Sequence, residues 1–237
     1  MAKASTLVTP EDPVAVAAPP RRFVSRGGDK LEAALDRFDV DVRGRDALDA
    51  GASTGGFTDC LLQRGASRVI AVDVGYGQLA WSLRQDPRVV VLERTNARDL
   101  APERVPFAPE IVVADLSFIS LRLVIPPLAE VSASGARFVL LVKPQFEAGR
   151  QAVGDRGVVS DPAAWTAALR GVIGAGEDNG LRALGVMASP LLGPAGNVEF
   201  LVAARRERPP SESGPSVSDA TIDAAIRAAL KLLGGHA

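Results

Sequence analysis

The sequence has very few of the side chains that build disulfides, zinc sites and histidine-based catalysis. Its 237 residues include one cysteine, Cys60, and one histidine, His236. A single cysteine excludes a disulfide framework, and one cysteine with one histidine makes a metal cluster of these ligands implausible. We expect His236 to be frayed, which argues against a histidine-centred triad. The sequence therefore predicts neither a disulfide-stabilised fold nor a metal site.

Long apolar runs and an excess of one charge are lacking as well. No run approaches the ~18 apolar residues of a membrane span, and the N-terminal segment lacks the pattern of a signal peptide. We expect a cytoplasmic protein with no membrane partner. Because 27 Lys and Arg face 28 Asp and Glu, contacts with RNA must come from local clusters. The basic clusters are Arg21, Arg22 and Arg26 beside Lys30, which we assign to RNA binding, and Arg205, Arg206 and Arg208.

What the chain does contain is a glycine-rich turn between a short apolar run and an amphipathic helix. Residues 47–50 precede the turn, and Phe57, Cys60 and Leu61 follow at the spacing of a buried helical face. Glycine adopts positive φ and lets a ligand approach the backbone, while free N–H groups at a helix start act as donors. The turn is typical of a nucleotide-like cofactor site, with an ordinary tight turn as the alternative. We place Cys60 in the core.

A carboxylate at the end of the next predicted strand favours an adenosine-type pocket. Asp73 stands 22 residues after Gly51, close to the ~20 at which an acidic side chain accepts ribose hydroxyls. The turn after the third strand would lie beside the base. The turn at Gly51 does not match the G-x-G-x-x-G pattern of NAD sites, so we favour S-adenosylmethionine (SAM). The predicted cofactor-binding residues are Gly51, Ala52, Ser53, Thr54, Gly55, Gly56, Phe57, Asp73, Asn96, Ala97 and Asp115.

Alternating strands and helices predict an α/β fold with a doubly wound sheet. We expect seven strands, mostly parallel with an antiparallel last strand, the Rossmann-like arrangement usual for class I SAM-dependent methyltransferases. Helices are predicted over 78–84 and 121–131, and a final helix after Ser218 carries an apolar face that includes Leu230. The predicted strands are 47–50, 68–73, 88–92, 111–115, 137–144, 181–187 and 198–202.

Two lysines and two carboxylates are expected at the carboxyl edge of this sheet, where open α/β sheets bind ligands. Asp115 and Lys143 end the fourth and fifth strands, and Glu199 lies near the start of the seventh. Lys30 falls in the first turn of a helix, where the dipole disfavours a cation, so it is either solvated or functional.

These four residues suit methyl transfer to a hydroxyl. The hydroxyl must lose its proton as the methyl arrives, and a lysine removes it only when desolvation and a neighbouring cation favour the neutral amine. We predict Lys143 as the general base, Lys30 as the neighbouring cation and donor, and Asp115 and Glu199 as orienting groups. Transfer to pyrimidine C5 fits less well because it generally uses a cysteine, and Cys60 is on a buried face.

Seven segments in order resemble the TlyA family, whose members are often labelled hemolysin A. The resemblance implies a 2′-O-methyltransferase that uses SAM on cytidines of ribosomal RNA or ribosomal subunits. It also implies an FtsJ-like catalytic domain whose Lys-Asp-Lys-Glu tetrad falls on Lys30, Asp115, Lys143 and Glu199, and loss of capreomycin susceptibility when the enzyme is absent. The segments are 23–28, 49–57, 73–79, 93–98, 115–120, 141–147 and 193–199.

The chain departs from the family at its N-terminus. Members normally begin with an S4 RNA-binding domain, and here residues 4–16 resemble only its final strand. We expect residues 1–22 to be an S4 remnant and linker, 23–208 the FtsJ-like domain, and 209–237 a linker and C-terminal helix. RNA docking is the property that most depends on the absent part, because phosphate contacts position the substrate.

Two other functions remain open at this point. The hemolysin label suggests a membrane-active protein, which the lack of a spanning segment argues against. A chain that keeps only the fold could instead be a catalytically silent RNA-binding or ribosome assembly factor. We predict no obligate protein partner.

Overall fold

A computed structural model describes residues 21–149, 152–154, 157–207 and 217–234. The segments predicted at 1–20 and 209–216, together with Arg208 and His236, lie outside these ranges. The strands are Asp46–Ala50 (β1), Arg68–Val72 (β2), Val89–Leu92 (β3), Ile111–Ala114 (β4), Arg137–Val142 (β5), Leu181–Ala188 (β6) and Phe200–Arg206 (β7). The α-helices are Gly27–Arg37 (α1), Gly56–Gln63 (α2), Trp81–Arg84 (α3), Ile125–Val131 (α4), Pro144–Glu147 (α5), Pro162–Glu177 (α6) and Asp219–Gly234 (α7).

The strands form a seven-stranded sheet in the order β3-β2-β1-β4-β5-β7-β6. The strands from β1 to β5 pair in parallel, and β7 runs antiparallel between β5 and β6. This confirms the predicted class I arrangement. Because β7 is reversed, its first residues lie at the edge where β4 and β5 end, since Phe200 pairs with Val142.

Helices cover both faces of the sheet, which explains why its central strands are apolar throughout. All four residues of β4 are buried, as expected for a parallel strand covered on both sides. One core contains side chains of α4, α6 and α7 together with alternate strand positions, and the other contains those of α1, α2 and α3. Cys60 is fully buried, which confirms it as a core residue, and Trp165 is fully buried as well. Burial also raises the pKa of the Cys60 thiol to about 12.

Two predicted helices are shorter than expected because of local backbone constraints. In the segment 78–84 only Trp81–Arg84 is helical, since the Ala80 N–H donates to the Thr54 carbonyl at 3.1 Å and Ala80 is extended. The segment 121–131 divides into a 3₁₀ turn, Leu121–Leu123, and α4. Prolines occupy the first turn of α4, and a helix tolerates proline there but not in its interior.

Two smaller corrections concern the start of β7 and the apolar face of α7. β7 begins at Phe200, so Glu199 precedes the strand instead of interrupting it. Four residues of α7 are buried (Ile222, Ala225, Ile226 and Ala229), while Leu230 is exposed. The apolar face of α7 is therefore narrower than predicted, and it packs on β6 and α6.

Candidate active site

The first of the two lysines, Lys30, is buried in a pair with Glu199. Lys30 lies in the first turn of α1 with its side chain 8% exposed, and its Nζ donates to Oε2 of Glu199, whose side chain is 1% exposed. The interpretation of Lys30 as a solvated cation is therefore wrong. The other oxygen of Glu199, Oε1, has no hydrogen-bond partner among the described residues. That oxygen is itself fully buried.

The second lysine, Lys143, follows β5 and pairs with Asp115 at the end of β4. Its Nζ lies 2.6 Å from Asp115 Oδ1 and donates to Ser117 Oγ at 2.9 Å. The predicted cation neighbour of Lys143 was Lys30, but each lysine instead makes its close contact with a carboxylate. The orienting role of Asp115 and Glu199 stays a prediction; the structure shows that each contacts one of the lysines. Ser117 was not predicted, although it stands two residues after Asp115.

A cavity of about 320 Å³ beside the glycine-rich turn is lined by Lys30, Asp115, Lys143 and Glu199, and we call it the lysine cavity. Phe57 is buried yet reaches its wall. Of the three predicted RNA-binding arginines, Arg21 and Arg26 line the cavity, whereas Arg22 pairs with Glu32 at 2.5 Å. From the predicted cofactor set, this cavity is lined by Gly51, Ala52, Ser53, Thr54, Gly56, Phe57 and Asp115.

A second cavity of about 340 Å³ adjoins the first and contains Asp73. The two share Gly51, Ser53, Asp115 and Ser117 in their walls. Asp73 is held rigidly, since Oδ2 accepts from the Ser53 N–H at 2.8 Å and Oδ1 from the Gly75 N–H at 2.7 Å. An ionised carboxylate has about four acceptor positions, so each oxygen can also accept from a ligand hydroxyl.

Packing explains the glycines of the turn. Gly51 has φ +86°, and a Cβ there would lie 2.5 Å from the Asp115 carbonyl oxygen. A Cβ on Gly56 would lie 2.1 Å from Ser25 Oγ, so glycine lets α1 and α2 approach each other. A Cβ on Gly55, φ +99°, would meet Leu83. These glycines are thus required by contacts within the protein as well as by any ligand.

The predicted base contacts lie in a third and larger cavity of about 820 Å³. Asn96 and Ala97 line it, and the Asn96 Oδ1 caps the next 3₁₀ turn by accepting from the Arg98 N–H at 3.1 Å. Val74, Ala97 and several residues after Asp115 line both this cavity and the one that contains Asp73. A nucleoside in the Asp73 cavity can therefore extend its base toward Asn96.

Asp49 is a buried carboxyl group beneath this site that sequence reasoning left without a role. It is fully buried in β1, and Thr58 Oγ1 donates to its Oδ2 at 2.7 Å. Burial raises the pKa of Asp49 to about 7, the Thr58 hydroxyl opposes this, and the nearby Asp115 and Asp73 carboxylates add to it. Its sequence signal was a carboxyl side chain inside the short apolar strand β1.

We expect Asp49→Asn to remove a pH dependence of stability. Between pH 5 and pH 7 the folded protein keeps a proton on Asp49 that the unfolded chain has lost, so the wild type loses stability as pH rises toward 7. The unfolding free energy of Asp49→Asn minus that of the wild type should therefore rise by about 2–3 kcal/mol from pH 5 to pH 8. Urea unfolding across this range measures it. The exposed variant Asp99→Asn should keep the wild-type slope, and a parallel slope for Asp49→Asn would contradict the assignment.

Comparison with known proteins identifies the family to which the chain is similar. The profile of the FtsJ-like methyltransferase family matches residues 23–206. The 16S/23S rRNA (cytidine-2′-O)-methyltransferase TlyA of Mycobacterium tuberculosis is 54% identical over 200 residues, which are 84% of this chain and 75% of that protein. Hemolysin A of Brachyspira hyodysenteriae is 41% identical over 181 residues, 76% of this chain and 75% of that protein.

A solved structure agrees with these sequence relatives. A Streptococcus thermophilus protein named as a hemolysin superimposes with a TM-score of 0.86 at 41% identity, covering 92% of this chain and 78% of its own. In the described part of this chain, no helix is long and apolar enough to cross a membrane.

Proposed function

This chain belongs to the FtsJ-like methyltransferase family, and from that premise we propose that it transfers a methyl group from SAM to the ribose 2′-hydroxyl of a cytidine in ribosomal RNA. The observation that carries the proposal is the meeting of two lysine–carboxylate pairs in one cavity beside the glycine-rich turn. The relative named for this reaction supports the substrate. On this proposal residues 23–208 are the catalytic domain, residues 1–22 correspond to the end of an S4 domain and a linker, and residues 209–237 to a linker and helix.

The Asp73 cavity has the chemistry that SAM requires. Asp73 presents two carboxylate oxygens for ribose hydroxyls, and the adjoining wall of Asn96 and Ala97 suits adenine. Asp115 lies where the Asp73 cavity meets the lysine cavity, and its negative charge would suit the cationic sulfonium of bound SAM. When bound, SAM supplies an activated methyl group, and its transfer leaves a neutral thioether.

We expect Asp73→Asn to weaken SAM binding by about 10- to 100-fold, the loss associated with one or two charge-assisted hydrogen bonds. The amide keeps the size of the side chain but offers one acceptor oxygen where two backbone N–H groups and the ribose need acceptors. Isothermal titration calorimetry measures the change in Kd. The matched control Asp99→Asn, on an exposed 3₁₀ turn, should bind SAM as the wild type does. Equal affinities for both variants would remove Asp73 from the site.

The lysine cavity has the chemistry that the acceptor requires. In its neutral form, the amine of Lys143 takes the proton of the 2′-hydroxyl as the O–CH₃ bond forms and the S–CH₃ bond breaks. The Asp115 carboxylate, 2.6 Å away, stabilises the ammonium that results. Lys30 holds Glu199 in place, and the Glu199 carboxylate, which belongs to the cavity wall, is the group that we propose orients the nucleotide. Much of the rate enhancement then comes from alignment of the hydroxyl with the methyl group.

Cationic side chains at the cavity rim suit an RNA backbone. Arg21 and Arg26 line the lysine cavity and are exposed. We propose that they contact phosphates next to the acceptor nucleotide, a contact that positions RNA without reading its sequence. Arg22 is the weakest of the three candidates because Glu32 engages it.

Nucleoside mass spectrometry after reaction with both ribosomal subunits tests the proposal. We expect 2′-O-methylcytidine, formed with SAM by the wild type and more efficiently by a fusion to an N-terminal S4 RNA-binding domain. Base methylation, or no methylated nucleoside with either form of the protein, would overturn it.

The two other functions give different results. A catalytically silent assembly factor should bind ribosomal subunits without detectable binding of SAM in calorimetry. A membrane-active protein should release dye from liposomes without RNA.

A further inference from the structure

A buried carboxylate outside the four-residue set connects the segments that carry Lys143 and Asp115. Glu147 ends α5, and its side chain is 2% exposed. Its Oε1 accepts from the Leu121 backbone N–H at 2.7 Å, and its Oε2 accepts from the Ser120 hydroxyl at 2.5 Å. Glu147 belongs to the segment after β5, whereas Ser120 and Leu121 belong to the segment after β4. One side chain therefore joins the two segments.

Arg122 completes this contact and explains why a charge is tolerated there. Its Nη2 donates to the Glu147 carbonyl oxygen at 3.2 Å, and its Nε lies 3.5 Å from Glu147 Oε2. The same Nε donates to Ser120 Oγ at 3.1 Å. A buried carboxylate is costly unless it is paired and hydrogen-bonded, and Glu147 meets both conditions. Such a group sets a defined distance between the segments that it joins.

The same two segments meet a second time at the proposed catalytic contact. Lys143 Nζ contacts Asp115 and Ser117 there. Between that contact and Glu147, the β5 segment makes the single turn of α5, and the β4 segment passes through Phe118, which has φ +64°. Positive φ is unfavourable for a bulky residue and persists when the surroundings fix it. The Glu147 contact fixes one end of this strained stretch.

We propose that Glu147 is a positioning residue for methyl transfer: by fixing the β4 segment against the β5 segment, it sets the geometry of Lys143 with Asp115 and Ser117. This inference rests on the proposed 2′-O-methyl transfer. Glu147 lines neither the lysine cavity nor the Asp73 cavity, so it acts through the residues that it holds.

Glu147→Gln tests the role with little change in side-chain volume. The amide offers one oxygen to the two donors that the carboxylate serves, so one contact is lost. We expect kcat to fall by about 10- to 100-fold, the cost of a small misplacement of reacting groups. The Kd for SAM should change less than kcat, because Gly51, Ser53 and Asp73 of that cavity belong to the ends of β1 and β2, and only its wall from Asp115 onward belongs to the β4 segment. Loss of stability alone would not separate kcat from Kd in this way.

Ser120→Ala examines the contact from its other side, and it serves as the milder variant if Glu147→Gln folds poorly. It should lower kcat by less. The double variant should be no slower than Glu147→Gln alone, because both substitutions remove the same hydrogen bond between Ser120 and residue 147. The control is Glu110→Gln, which removes an exposed carboxylate paired with Arg45 at the opposite end of β4. We expect this control to keep the wild-type kcat.

Hydrogen exchange supplies a readout that needs no activity. The Leu121 amide should exchange at least about tenfold faster in Glu147→Gln than in the wild type, because its acceptor is weakened. A wild-type kcat in folded Glu147→Gln, or unchanged exchange at Leu121, would overturn the inference. If the wild type itself methylated no ribose, the proposed function would fail, and the Leu121 exchange rate would still decide whether Glu147 holds the segment.

Discussion

Replacing Lys143 by alanine should lower the rate of methyl transfer by about 10²- to 10⁴-fold, the range that a general base contributes. The variant loses the only proposed proton acceptor for the 2′-hydroxyl. Its affinity for SAM should not change, because Lys143 lines the lysine cavity and not the cavity that contains Asp73. Single-turnover methylation of RNA gives the rate, and calorimetry gives the Kd for SAM.

Lys143→Arg separates proton removal from simple positive charge. Arginine keeps the cation beside Asp115 but is not deprotonated in proteins, so it cannot serve as a base. We expect Lys143→Arg to be as slow as Lys143→Ala. Rapid transfer by Lys143→Arg would show that the charge is sufficient, and rapid transfer by Lys143→Ala would remove Lys143 from the mechanism. Lys231→Ala, on the exposed side of α7, is the control for a lost lysine.

The sheet, and the residues that lie at its candidate active-site edge, could be predicted because both follow from strand direction. Parallel strands place their last residues at one edge, so Asp73, Asp115 and Lys143 had to lie together once their strands were recognised. Glu199 joined them only if the seventh strand was reversed, and the structure confirms that reversal. The apolar runs that revealed these strands are strong signals because the sheet is covered on both faces.

The pairing within that edge could not be predicted, since it depends on distances between segments remote in sequence. Lys30 and Glu199 are 169 residues apart, and no local pattern indicates that they share a buried contact. The role of Glu147 was missed for the same reason. The sequence predicted a strand through residue 144 and no helix directly after it, whereas Pro144 begins the single turn of α5. Helix ends were predicted less accurately because prolines and backbone contacts divide a segment in ways that its apolar pattern does not show.

The buried pair of Lys30 and Glu199 should have the second largest effect when it is broken. The two side chains are 8% and 1% exposed, so removing either one leaves a charge without its partner in a nearly water-free position. Lys30→Met and Glu199→Met should each lower the unfolding free energy by about 3–5 kcal/mol. Urea unfolding at pH 7 measures each loss.

The double variant Lys30→Met/Glu199→Met distinguishes a structural pair from a catalytic one. Replacing both partners of a buried ion pair by apolar side chains of similar length is often neutral or stabilising, so most of the lost stability should return. Methyl transfer should not return, because the Glu199 carboxylate is the group proposed to orient the nucleotide. A double variant that is stable and fully active would show that the pair only fills the cavity wall. One that is stable and inactive would show that the pair itself takes part in methyl transfer, since restored folding would leave its loss as the remaining defect.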